Sequence, residues 1–253
     1  MKTKIVCFGE ILFDVFPTQR KIGGAPLNVA LRMNSLGIDA HIISRIGNDE
    51  VGKELLHFLE KNDISTNNIQ IDNKYSTGEV FVKLDDKGSA SYTINYPVAW
   101  DKIEATSEAT NVVKDADALV FGSLACRDIT SYLSLLTLLN SAKHKIFDVN
   151  LRPPFYNKEL LLDLMEKADF IKFNDDELYE TMDLEKFEYK NMIFDSLTID
   201  NFWLDGKSKF SQMQQIDFLE RLYFSKLPIS KKTENIMKDI MQIEKTENFI
   251  CFE

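Results

Sequence analysis

Short runs of β-forming residues alternate with stretches of helical apolar spacing from Lys4 onward, and this alternation restricts the fold more than any other feature of the chain. Residues 5–8, 41–46, 118–121, 146–149 and 170–173 read as strands. Between them, residues 26–36, 49–62, 128–141 and 158–167 repeat apolar side chains at helical intervals. Strands separated by helices are joined by crossovers, so the expected architecture is a doubly wound α/β fold on a mostly parallel sheet. One stretch departs from the pattern. Residues 78–84 and 89–96 are strand-like and flank Asp85-Asp86-Lys87-Gly88, a hairpin signature. An antiparallel excursion of this kind often covers a site, and residues 78–96 are therefore read as a lid.

Composition narrows the partners. The net charge is −10 and no Lys/Arg cluster interrupts it, so the chain has no cationic footprint for nucleic acid or an anionic membrane surface. Small-molecule chemistry is expected instead. Cys7, Cys126 and Cys251 are odd in number, far apart and without metal-ligand spacing, which predicts packed free thiols in a reducing compartment. The apolar run at 5–8 is stopped by Gly9 and Glu10, short of a secretory signal, and no run reaches transmembrane length. The expected location is the cytoplasm.

Several motifs could carry chemistry. Gly23-Gly24-Ala25-Pro26-Leu27-Asn28 places two glycines at a turn and a proline at the start of a helix, with Asn28 one turn inside. Such glycines let backbone N–H groups approach a ligand, and Asn28 offers both donor and acceptor to vicinal hydroxyls. Gly9-Glu10-Ile11-Leu12-Phe13-Asp14 is expected to end the first strand on a carboxylate able to accept hydroxyl hydrogen bonds. Asp148-x-Asn150-x-Arg152 closes another strand. Asn174-x-x-Glu177 opens a helix, where it suits phosphate or hydrated Mg²⁺ and equally suits a capping box.

Together with Leu36-Gly37 and Arg45-Ile46-Gly47-x-Asp49-x-x-Gly52, these runs resemble the ribokinase-like (PfkB) sugar kinases, the fructokinase-like members most of all. The resemblance covers residues 1–183 and implies a ribokinase-like fold. It implies that Asp14, Gly23, Gly24 and Asn28 bind a fructose-like sugar under the lid. It further implies that Asp148, Asn150, Arg152, Asn174 and Glu177 line the nucleotide and phosphate end, with ATP and Mg²⁺ as cofactors and no directly ligated metal.

The chain changes character near residue 183, where it is read as a truncated kinase domain joined to a different tail. Nine of the ten glycines precede that point, and residues 211–243 read as a helical hairpin whose first helix opens on a Ser211/Gln214 capping box. Tyr189-Lys190-Asn191, residues 199–206 and Leu227-Pro228-Ile229-Ser230 resemble a segment of class D β-lactamases and penicillin-sensor domains, without the nucleophile or Lys-Thr-Gly motifs of that family. No run after Glu177 resembles the Asp-Thr-x-Gly-Ala-Gly-Asp motif that supplies the anion hole and general base in ribokinase-like enzymes. Phosphoryl transfer rests on positioning and charge stabilisation, so the expectation is a sugar kinase by descent with activity absent or severely impaired. The alternatives are a non-catalytic sugar-binding or oligomerising remnant and, behind these, a β-lactam-responsive protein. An uncovered sheet edge at the join predicts self-association into a homo-oligomer.

Overall fold

Strand β1 (Lys4–Phe8) buries Val6, Cys7 and Phe8 in succession, so both of its faces are covered, as a central strand between two helical layers requires. The structure is a computed structural model that describes residues 2–84, 90–174 and 177. It divides into two compact units, Met1–Phe173 and Asn174–Glu253.

In the first unit a six-stranded parallel sheet has the order β10 (Phe170–Lys172), β9 (Lys145–Asp148), β8 (Ala118–Gly122), β1, β4 (Asp39–Gly47), β5 (Ile69–Asp72). Helices α1 (Ala25–Ser35), α2 (Glu50–Lys61), α3 (Ser107–Asp115), α4 (Ile129–Leu139) and α5 (Lys158–Lys167) accompany it. Cys7, Leu27, Ala30, Ile42, Ile46, Leu55 and Leu59 lie in one buried cluster joining β1 and β4 to α1 and α2. Phe121 and Phe147, register partners on β8 and β9, stack at 5.3 Å between ring centroids. The strand order reverses at β1, with β4 on one side and β8 on the other. In such sheets the crevice outside the carboxyl ends of the strands at the reversal is where ligands bind.

The strands and helices read from the periodicity are present, with ends shifted by no more than two residues. The lid is larger than the hairpin expected of it. Strands β6 (Gly78–Leu84) and β7 (Ala90–Ile94) pair antiparallel as anticipated, but β2 (Leu12–Val15) joins β6 in parallel and β3 (Arg20–Gly23) pairs with β2. The result is a four-stranded sheet ordered β3-β2-β6-β7. This corrects the expected position of Asp14. It does not end the first strand but lies on β2, because the chain turns at Gly9–Ile11 and begins a new strand in the lid sheet. The hairpin turn, the boundary near 183, the helical hairpin at 211–243 and Cys251 lie outside the described residues.

The Gly47-x-Asp49-x-x-Gly52 run has a local structural reason. Asp49 caps α2 by accepting from the Gly52 amide at 2.7 Å, and it also accepts from the Thr77 amide and hydroxyl at 2.8 and 2.7 Å. A Cβ at Gly52 would stand 2.3 Å from the Gly47 carbonyl oxygen. This knot fixes the entry to lid strand β6 against α2.

Candidate functional site

The β1 end of the crevice is built from close approaches that only glycine permits. Gly24 caps α1 at φ 114°, and a Cβ there would sit 2.3 Å from the backbone oxygen of Glu10. A Cβ on Gly23 would sit 2.5 Å from Asp14 Oδ2, so the missing side chain is what makes room for that carboxylate. Asp14 stands half-buried on β2, with burial pushing its carboxyl up and the positive charge of Arg152 pulling it back. Asn28 lies one turn into α1, its amide donating to the Gly24 oxygen at 2.9 Å and its side chain exposed.

The other end is set by the loop after β9. Asp148 ends that strand and pairs with Lys172 Nζ at 2.9 Å. Asn150 adopts φ 41°, the left-handed region that asparagine enters more readily than most residues. Exposed Arg152 follows, donating to the Leu151 carbonyl at 2.7 Å. Lys172 is paired with Asp148, and Arg152 adds a further positive charge at this end. Among the described residues no three His, Cys, Asp or Glu side chains gather into a metal site. In the second unit, the Asn174 amide donates to Glu177 Oε2 at 2.9 Å and the Glu177 amide to Asn174 Oδ1 at 2.8 Å. This is the reciprocal capping box allowed for by their spacing.

Two buried charged residues were not legible as such in the sequence. Glu10 is 2% exposed, accepts from the Ala25 amide at 3.2 Å through Oε1, and has no partner for its buried Oε2. Burial pushes its carboxyl up to about 7, with Arg152 pulling it down and Asp148 pushing it further up. Arg127, in the short helical turn Leu124–Arg127 beyond β8, is buried against Asp101, with Nε–Oδ1 at 2.7 Å and Nη2–Oδ2 at 2.9 Å. Its guanidinium lies 3.9 Å from the Trp100 ring centroid, 4.5 Å from that of Phe155 and 5.1 Å from that of Tyr96. Nη2 also donates to the Asn95 carbonyl at 2.5 Å, and Tyr96 Oη donates to Asp128 at 3.1 Å, so the segment leaving β7 is anchored beside α4. Arg127, Tyr96, Tyr132 and Phe155 help line a cavity of about 520 Å³.

A profile of the pfkB family carbohydrate kinases matches residues 2–193, three quarters of the chain and most of the elements that build this crevice. The chain belongs to the pfkB carbohydrate kinase family. The Pyrococcus horikoshii protein named putative sugar kinase is 28% identical over 216 residues, covering 77% of this chain and 69% of that protein. The Arabidopsis thaliana protein named probable fructokinase-4 is 30% identical over 201 residues, covering 70% of this chain. The chain spans 61% of that protein's length and 58% of that of the Arabidopsis thaliana protein named probable fructokinase-7. Among solved structures, the Pyrococcus horikoshii sugar kinase has a TM-score of 0.64 at 29% identity, covering 72% of this chain and 66% of that one. A Xylella fastidiosa fructokinase with bound ATP has a TM-score of 0.65 at 26% identity, covering 73% of this chain and 62% of that one. The pfkB match runs past the boundary read at 183, and nothing in the comparisons supports the likeness of residues 189–250 to class D β-lactamases. Among the described residues no helix is long and apolar enough to cross a membrane. Cys7 and Cys126 are buried free thiols, as their spacing led us to expect.

Proposed function

We propose that this pfkB-family chain binds a fructose-like sugar through Asp14, Gly23, Gly24 and Asn28, and presents Asp148, Asn150 and Arg152 toward the phosphates of ATP with its Mg²⁺. The observation that carries the reading is the half-buried Asp14 carboxylate, housed in the space left by Gly23 and within electrostatic reach of Arg152. A carboxylate in this setting accepts hydroxyl hydrogen bonds from a sugar, while the arginine beyond it attracts phosphate oxygens. Calorimetric titration of the full chain with fructose tests the assignment. Asp14→Ala is expected to weaken binding by about 1.5–3 kcal/mol, roughly ten- to a hundredfold, the loss of one charge-assisted hydrogen bond. Equal affinity in the variant and the wild type would remove Asp14 from the site.

The same 253 residues contain no anion-hole and general-base run after Glu177, and on that ground we propose a chain that holds sugar without phosphorylating it. A coupled assay of ATP consumption with fructose is expected to show no turnover. A rate above roughly 0.01 per second, a hundredth of the slow end of kinase turnover, would overturn this part of the proposal.

A further inference from the structure

Glu10 is a buried carboxylate with one oxygen lacking a partner and the other holding the start of α1. Unpaired buried polar atoms are costly and are retained where the surroundings hold them for a reason. Glu10 follows Gly9, at which a Cβ would stand 2.7 Å from Pro26 Cγ, and its own backbone oxygen is the atom that excludes any side chain at Gly24. Its Oε1 accepts the amide of Ala25, the first residue of α1. The end of β1 therefore touches the Gly24–Asn28 turn through both the backbone and the side chain of one residue.

We propose that Glu10 is a positioning residue of the sugar site, clamping the Gly24–Asn28 turn to the end of β1. The inference rests on the sugar-binding reading given above, because it assigns a purpose to the same turn. The groups acting on the carboxyl are Arg152 and Asp148 from the loop and strand end of β9, together with the amides of Glu10 and Ala25, and Glu10 in turn acts on the buried Cys126 thiol. Burial pushes this carboxyl up to about 7, while its Oε1 accepts the Ala25 amide.

Two substitutions separate clamping from bulk packing. Glu10→Gln keeps an acceptor oxygen for the Ala25 amide, whereas Glu10→Ala removes it. Hydrogen exchange on the sugar-free chain is expected to speed up about tenfold across residues 24–28 in Glu10→Ala, the size of one lost hydrogen bond. Exchange in β4 and β8 is expected to stay unchanged, and Glu10→Gln to restore protection at 24–28. Fructose affinity, measured on the same proteins, is expected to follow the same order. Unchanged exchange at 24–28 in Glu10→Ala, or a Glu10→Gln protein as unprotected as the alanine variant, would overturn the clamp. A wild-type chain that binds no fructose would instead sink the sugar-binding reading, and the exchange measurement would still decide whether Glu10 holds the turn.

Discussion

Arg127→Met is expected to destabilise the protein by about 3–5 kcal/mol, the cost of leaving one member of a buried ion pair uncompensated. The side chains of Arg127 and Asp101 are 2% and 0% exposed, so water cannot replace the lost partner. Methionine retains most of the apolar contact with Trp100 and Phe155, which confines the loss mainly to the charge. In a domain of this size the effect is a fall of roughly 6–20 °C in melting temperature. The double variant Arg127→Met/Asp101→Asn should recover much of it, because asparagine carries no charge and still offers an oxygen to the Val98 amide that Asp101 accepts at 2.8 Å. Acidification provides a second check. Burial pushes the Asp101 carboxyl up, with Arg127 pulling it down, so removing Arg127 lets it rise further. The variant's deficit should then be full at neutral pH and shrink as pH falls through the raised folded value, because the folded state takes up the proton first. A deficit that is constant across pH, or a double variant no more stable than the single, would mean the pair is not what holds this region.

Gly24→Ala is the second large effect. Its φ of 114° strains any residue with a side chain, at about 1–3 kcal/mol. The new Cβ would also press on the Glu10 backbone oxygen from 2.3 Å, an overpacking of about 1–3 kcal/mol more that flexible side chains cannot relieve. Gly37→Ala is the matched control: φ is 82°, but nothing lies within 4 Å of its added Cβ. Urea unfolding should place Gly24→Ala well below Gly37→Ala, and only Gly24→Ala should lose fructose binding. Equal losses of stability would show that backbone conformation alone, and not the approach to Glu10, makes glycine necessary here.

Periodicity revealed the longer elements most directly, the nine-residue β4 and the two-faced α2 among them. Length alone did not decide the rest, since β9 and β10 were read at four and three residues whereas β2, β3 and β5, at four each, were not. Overlooking β2 is what placed Asp14 at the end of the first strand and reduced a four-stranded lid sheet to a hairpin. Helix α3 did carry a start signal in Thr106, whose side chain accepts from the Ala109 amide, but its nine residues lie in a polar stretch. The glycines at 23 and 24 and the positive-φ Asn150 were legible because backbone demands leave a mark on residue type. Glu10 and Arg127 were not, since a single glutamate or arginine in a sequence reads as solvated until the fold shows it buried.

The parallel pairing of β2 with β6 places Asp14 in the lid sheet, while Asn28 rides on α1 against the central sheet. A sugar gripped by both would act as a staple between two separately hydrogen-bonded layers. Its binding energy would then also resist their separation, and mechanical or thermal parting of the lid should require releasing the ligand first.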